Sequence, residues 1–283
     1  MTRPARRSLS IVGASAAALL ALSACSSSSG TSDASGSTGS GATATSGASS
    51  GASSAAKVDG TVTVFAAASL KESFTALGQE FEKAHPGAKV SFNFGGSDSL
   101  AASITGGAPA DVFAAASPKT MKTVSDAGDT AAAPVTFVRN QLEIATLPGN
   151  PDKIASLKDL TTKSGLKVVL CDKTVPCGAA AQKALKASGL ALTPVSYEQD
   201  VKSALTKVEL KEADAAVVYR TDVKAAGEKV QGVEFPESAK AVNDYPIALL
   251  KDAPNAAAAQ AFIDLVKSPE GQKVLTGAGF LKP

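Results

Sequence analysis

Tryptophan is absent from this chain of 283 residues, and histidine occurs once. With only His85 available, His-based zinc sites and Ser-His-Asp catalysis would have to be built on that residue or on a substitute. His85 stands in Ala84-His85-Pro86-Gly87, which reads as a turn. Long blocks of one charge are also missing. The 28 basic residues nearly match the 26 acidic ones, and neither sign forms a run of five or more, so no nucleic-acid partner is indicated. From Val58 onward no Gly-x-Ser-x-Gly elbow occurs, the one match to that pattern, Gly47 to Gly51, lying in a Ser/Gly/Ala/Thr stretch; no Cys-x-x-Cys pair and no internal repeat is present. What remains is a 44% hydrophobic, 19% charged chain, long enough for one or two domains with a substantial core.

The first residues are of a different kind. Arg3, Arg6 and Arg7 precede an apolar run from Ile11 to Leu22, too short to span a bilayer as a stable helix, and then Leu22-Ser23-Ala24-Cys25. This order of charged, apolar and small residues is that of a secretory signal, and its end resembles the lipobox of bacterial lipoproteins, in which the cysteine becomes the acylated N-terminus. Residues 1–24 are therefore expected to be a lipoprotein signal peptide and Cys25 the lipidation site. Arg6-Arg7 is only a weak sign of twin-arginine export. From Ser26 to Lys57 nearly every residue is Ser, Gly, Ala or Thr, with Asp33 the one charge before Lys57, so 25–57 reads as a lipidated cysteine followed by a flexible tether. Without the signal's arginines, 25 basic residues face 26 acidic ones, and the mature chain is near neutral.

Past the tether, strand and helix signals alternate. Thr61 to Ala67 is a short apolar run, Leu70, Phe74, Leu77 and Phe81 repeat at helical spacing, and Val90, Phe92 and Phe94 alternate with polar residues. This order predicts an α/β layered fold. Further strands are expected at Asp111 to Ala115, Val135 to Val138, Leu142 to Leu147, Lys167 to Cys171, Ala215 to Tyr219 and Tyr245 to Leu250. Helices are expected at Pro118 to Ala127, Gly178 to Ala187, Val201 to Val208, Asn255 to Lys267 and Pro269 to Thr276.

Four handovers into helices carry polar or glycine residues. Ser69-Leu70-Lys71-Glu72 has capping-box spacing, Gly95-Gly96-Ser97-Asp98 precedes an apolar helix, and Pro176-Cys177-Gly178 and Glu198-Gln199-Asp200-Val201 open two more. Free backbone N–H groups and a positive dipole end make each a possible anion site, although a serine at such a place is more often simply a cap.

The motifs occur in a telling order. Thr63-Val64-Phe65-Ala66-Ala67-Ala68-Ser69-Leu70, Phe94-Gly95-Gly96-Ser97 and Gly107-Ala108-Pro109-Ala110-Asp111-Val112-Phe113-Ala114 are followed by Val175-Pro176-Cys177-Gly178, Ala216-Val217-Val218-Tyr219 and Ser268-Pro269-Glu270-Gly271. Together they closely resemble the molybdate-binding proteins of ABC import systems, over essentially all of 58–283. The resemblance implies a two-lobed periplasmic-binding-protein fold of type II, each lobe a mixed sheet flanked by helices, and a binding rather than a catalytic role. Lobe one is expected to comprise 58–136 and 244–283, lobe two 137–243, with hinge crossings near 134–139 and 242–246. It further implies a molybdate or tungstate oxyanion held by Ser69, Ser97, Cys177, Val201 and Tyr219, no cofactor, no metal coordinated directly by side chains, and delivery to an ATP-driven permease. Cys177 and Val201 would act through their backbone N–H groups, so a cysteine at a position usually held by a smaller residue matters little. The chain is expected to be a monomer on the outer face of the cytoplasmic membrane.

The chemistry fits independently. A doubly deprotonated tetrahedral oxyanion has only acceptors, and hydroxyls, helix N-termini and a phenol offer donors without a counter-ion. Phosphate, which keeps a proton in part of its population, would favour an acceptor such as Asp98. Asp98 reads instead as a solvent-facing acid in the first turn of its helix. Sulfate and phosphate binding, and more remotely a lipoprotein hydrolase or an adhesive surface domain, are the competing readings. In an exported protein, Cys171 and Cys177 would close a small disulfide loop beside the ligand, against the alternative of two buried thiols.

Overall fold

The structure, a computed structural model, describes residues 58–283. The signal peptide, Cys25 and the tether lie outside the described residues.

In chain order the elements begin with β1 (Gly60–Ala67), a 3-10 turn at Ala68–Leu70, α1 (Lys71–Ala84), β2 (Ala88–Gly95), α2 (Ser97–Thr105), β3 (Val112–Ala114), α3 (Pro118–Asp126) and β4 (Val135–Asn140). Then come β5 (Leu142–Thr146), α4 (Asp159–Thr162), β6 (Val168–Cys171), α5 (Pro176–Ala187), β7 (Ser196–Glu198), α6 (Val201–Glu209), β8 (Ala215–Tyr219), α7 (Arg220–Ala226) and β9 (Gln231–Val233). A 3-10 stretch at Pro236–Ala241 leads to β10 (Asn243–Leu249), α8 (Ala256–Lys267) and α9 (Pro269–Gly277).

The strands form two five-stranded mixed sheets, β2-β1-β3-β10-β4 and β7-β6-β8-β5-β9. Each belongs to one lobe and is flanked by helices, the architecture expected for a type II periplasmic-binding-protein fold. β1 is parallel to both β2 and β3, so it is covered on both faces, and its apolar run replaces the alternation of a half-exposed strand. The antiparallel partners are β10 in the first sheet and β5 in the second.

Both expected crossings, 134–139 and 242–246, fall within one antiparallel ladder, in which Asn243 pairs with Asn140 and Tyr245 with Val138. The chain passes between the sheets at Gln141, the residue separating β4 from β5, and returns in the segment between β9 and β10. The ladder shifts register between Tyr245 and Pro246, where proline has no N–H to give the partner strand.

Helix starts follow their caps. Ser117 accepts from Thr120 N before Pro118, Asp200 accepts from Lys202 N and Ser203 N, and Ser268 accepts from Gly271 N before Pro269. The expected capping box at Ser69 does not form: a 3-10 turn takes up Ser69, α1 begins at Lys71 with no side-chain cap, and Ser69 is left for another partner. Phe74, Leu77 and Phe81 bury the inner face of α1. The Phe74 ring meets Phe137 and Phe262, each at a centroid distance of 5.8 Å, and Phe92 at 6.3 Å. Phe74→Ala removes the ring that ties α1 to β2, β4 and α8, and should lower unfolding free energy by about 3–5 kcal/mol in a urea titration. A loss below about 1 kcal/mol would show that the cluster is not the centre of this lobe's core.

Candidate functional site

Ser69, Ser97, Cys177, Val201 and Tyr219, five residues distant in sequence, line one small pocket at the junction of the two sheets. All five are buried. Ser69 and Ser97 come from lobe one, at the ends of β1 and β2, and the other three from lobe two, at the starts of α5 and α6 and the end of β8. The pocket measures about 20 Å³ as space open to the centre of a water molecule, which is room for one small ion and far too little for a sugar or peptide. Helices α2, α5 and α6 all direct their first turns here, where the first N–H groups of a helix have no intrahelical acceptor. At α5 the first position is Pro176, which has no N–H, so the Cys177 N–H is the first available.

The hydroxyls are held by partners the sequence did not single out. Asn140 Oδ1 accepts from Gln141 N at 2.9 Å, which fixes its amide so that Nδ2 donates to Tyr245 Oη (3.3 Å) and Thr221 Oγ1 (2.9 Å). Tyr245 Oη, accepting from Asn140, can donate to Ser69 Oγ at 2.8 Å, and the Ser69 hydrogen is then free for an acceptor in the pocket. Asn243 is oriented in the same manner. Its Nδ2 faces the carbonyls of Ala116 (3.1 Å) and Pro176 (3.4 Å), so it donates to Tyr219 Oη at 2.6 Å and leaves the phenolic hydrogen for Tyr245 Oη or a pocket acceptor. Ser97 Oγ accepts from Ala116 N at 3.0 Å, and its hydrogen is likewise left over. Burial pushes both phenols well above their ordinary range, and the Tyr245 neighbour pushes Tyr219 further, so both remain neutral donors. Asn140, Asn243 and Tyr245 escaped sequence reasoning because a lone Asn or Tyr near a strand has no spacing signature.

The carboxylate that lines the pocket is engaged. Asp200, in its wall, accepts through Oδ1 from the first-turn N–H groups of Lys202 and Ser203, and through Oδ2 from Ser203 Oγ. Behind it, Lys202 on α6 lies 3.2 Å from Asp222 Oδ1 on α7 and 2.9 Å from Glu72 Oε2 on α1, an ion pair that crosses between lobes. Burial works against the Lys202 charge, but Asp222 and Glu72 outweigh it and raise its pKa. Asp222 is fully buried, and burial raises its pKa to about 6 against the opposing pull of Lys202. Its Oδ2 also accepts from Tyr219 N at 3.3 Å, which ties the ion network to the strand end carrying the phenol. Asp98 departs from the sequence reading: it is half-buried, and its Oδ1 is shielded from water with no hydrogen-bond partner among the described residues, at the end of α2 that the Gln199 carbonyl approaches. Asp98 is not among the pocket's lining residues.

Cys171 and Cys177 are joined in a disulfide with Cα atoms 5.8 Å apart, closing the loop from β6 to the α5 N-terminus. Gly178 is held against this loop so closely that a Cβ would sit 2.5 Å from the Cys171 carbonyl oxygen, and closer still to that of Asp172, so only glycine lets the N-terminus of α5 settle here.

Two sheet-and-helix lobes meeting over a small pocket lined with donors define a solute-binding protein of the periplasmic-binding-protein fold. The family model described as bacterial extracellular solute-binding protein matches residues 62–281. The molybdate-binding protein of Mycobacterium tuberculosis is 44% identical over 223 residues, covering 79% of this chain and 85% of the relative. That of Escherichia coli is 34% identical over 233 residues, covering 78% and 89%. The solved structure of the Azotobacter vinelandii periplasmic molybdate-binding protein superposes with a TM-score of 0.69 at 20% identity over 78% of this chain and 99% of that one, a likeness of fold. The chain belongs to the bacterial extracellular solute-binding proteins and, among them, to the molybdate-binding protein family.

The buried ion network carries a pH signature. Because the folded-state pKa of Asp222 lies above the ordinary 3.8, the folded chain takes up a proton between about pH 6 and 4 that the unfolded chain lacks. This group therefore adds stability as pH falls through that window. Wild type should gain melting temperature relative to Asp222→Asn between pH 7 and 4.5, measured by thermal unfolding in matched buffers; a difference that does not change with pH would mean Asp222 titrates as an ordinary carboxylate.

Proposed function

We propose that this chain is an extracytoplasmic molybdate-binding lipoprotein that encloses the oxyanion between its lobes and presents it to an ABC permease. The observation that carries the reading is the polarity of the pocket. The oxygens of Ser69, Ser97 and Tyr219 are each engaged by a neighbouring protein group, which leaves the two serine hydrogens, the Cys177 and Val201 N–H groups and a Tyr219 hydrogen that the Tyr245 oxygen also attracts for a ligand that only accepts. Molybdate and tungstate are such ligands, held as intact oxyanions with no side chain on the metal. Each hydrogen bond to a doubly charged ion is worth roughly 1.5–3 kcal/mol.

The names of the relatives support molybdate as the ligand. A hydrolase reading loses ground because Ser69 and Ser97 find a phenol and a backbone N–H rather than a base. Attachment through an acylated Cys25 and the Ser/Gly tether places the binding domain outside the cytoplasmic membrane, as a monomer with neither cofactor nor nucleic-acid partner. The disulfide at Cys171 and Cys177 suits that oxidising setting and stiffens the loop that presents the Cys177 N–H, contributing on the order of 2 kcal/mol.

Titration calorimetry with molybdate, tungstate, sulfate and phosphate tests the reading: the first two should bind tightly, sulfate weakly and phosphate least. Ser69→Ala, Ser97→Ala and Tyr219→Phe should each weaken molybdate binding by roughly 1.5–3 kcal/mol, and Tyr219→Phe chiefly through faster release in stopped flow. An unchanged affinity in any of the three would return that residue to a packing or capping role. Cys25→Ala should move the protein from the membrane to the soluble fraction with its molybdate affinity unaltered; retention at the membrane would mean that acylation is not the anchor.

A further inference from the structure

Gly96 is the N-cap of α2 and has φ −60° and ψ 131°, a backbone conformation open to every residue type. Backbone freedom therefore does not explain a glycine there. Space does. A Cβ on Gly96 would lie 2.6 Å from the backbone carbonyl oxygen of Gln199 and 2.8 Å from Asp98 Oδ1, both closer than real Cβ contacts come. Gln199 belongs to the other lobe. The neighbouring Gly95 is under no such pressure, since a Cβ there would meet only Leu100, at 3.7 Å.

The position of this contact gives it a consequence for the ligand. Gly96 precedes Ser97, a donor of lobe one, and Gln199 stands two residues before Val201, a donor of lobe two. The separation of Gly96 from the Gln199 carbonyl therefore gauges the separation of the two sets of donors. An oxyanion bridging them must be matched within a few tenths of an ångström, because hydrogen bonds weaken steeply beyond their normal length. Resting on the oxyanion-binding reading above, we propose that Gly96 sets the end-point of lobe closure: its missing side chain lets the Gln199 carbonyl approach until donors from both lobes reach one ion, and any larger residue holds the lobes apart and opens the site.

The test uses Gly96→Ala, Asp98→Ala and the double variant in the whole protein. With the lobes parted, the new methyl group meets the movable end of Asp98 and, at an ordinary 3.5 Å, Ser99 Oγ, so free Gly96→Ala should fold normally, with at most a cap-sized loss of stability. With ligand, its molybdate affinity should fall about tenfold or more, through faster release, because the closed form has become the disfavoured one. Small-angle scattering should show it compacting less than wild type at saturating molybdate. Asp98→Ala separates the two crowded atoms: if the Gln199 carbonyl is the obstacle, the double variant stays as weak as Gly96→Ala. Recovery of wild-type affinity in the double variant, wild-type affinity in Gly96→Ala itself, or a free variant that no longer folds would each overturn the proposal. Wild-type protein that ignores molybdate would instead refute the assigned ligand, and the same variants would then be compared with whichever of tungstate, sulfate or phosphate compacts it.

Discussion

The direction of a few hydroxyl hydrogens governs the pocket, and two asparagine amides, one buried and one half-buried, set that direction. Asn140 is pinned by the Gln141 N–H and Asn243 by the carbonyls of Ala116 and Pro176, so each must present its NH₂ to a tyrosine oxygen. A hydroxyl whose oxygen accepts from a fixed donor offers its hydrogen elsewhere. The pocket thus becomes a cluster of donors without a fixed positive charge in it, which suits a small doubly charged anion better than a lysine would: the ligand exchanges hydration for several charge-assisted hydrogen bonds at once. Reversing either amide would place an acceptor opposite a phenol oxygen and turn the phenolic hydrogen away from the pocket.

The same two asparagines stand where the chain changes sheets. They face each other across the β4–β10 ladder, one residue from Gln141 on one strand and at the start of the other strand on the other. The connection between lobes and the orientation of the donors are therefore one piece of structure. Two further contacts, one behind the pocket and one at its edge, act between the lobes. Lys202 reaches Glu72 across the cleft while anchored on Asp222, and Gly96 leaves room for the Gln199 carbonyl. A half-buried ion pair and a steric stop differ in kind, the first adding attraction and the second limiting approach, and together they bound the distance over which the lobes can meet.

Much of the fold was legible because its elements carry strong periodic or capping signals. The α1 face of Phe74, Leu77 and Phe81, the apolar β1 run, and the Ser-Pro starts of α3 and α9 follow from local preference and burial. Short pieces were not legible. β7, β9 and α4 have three or four residues each, too few for a period to show, and they exist because neighbouring strands offer hydrogen bonds or packing. Ser69 shows the opposite failure: a correct local pattern, Ser-x-x-Glu, overruled because Tyr245 lies in reach of its hydroxyl and Lys202 in reach of Glu72.

The amino-acid sequence alone determined that this is an α/β chain with helices starting at Ser, Gly, Pro and Asp handovers, and that hydroxyl and N–H donors are concentrated at those handovers. These are properties of short segments, decided by dihedral preference, capping and the burial of periodic apolar faces. Which handovers meet, that Asn140, Asn243 and Tyr245 stand behind them, and that Asp98 turns from water while Gly96 faces Gln199 were decided only by the tertiary structure. Such contacts join residues from several to more than 170 positions apart, and their geometry depends on how two sheets are brought together, which no local window of sequence encodes.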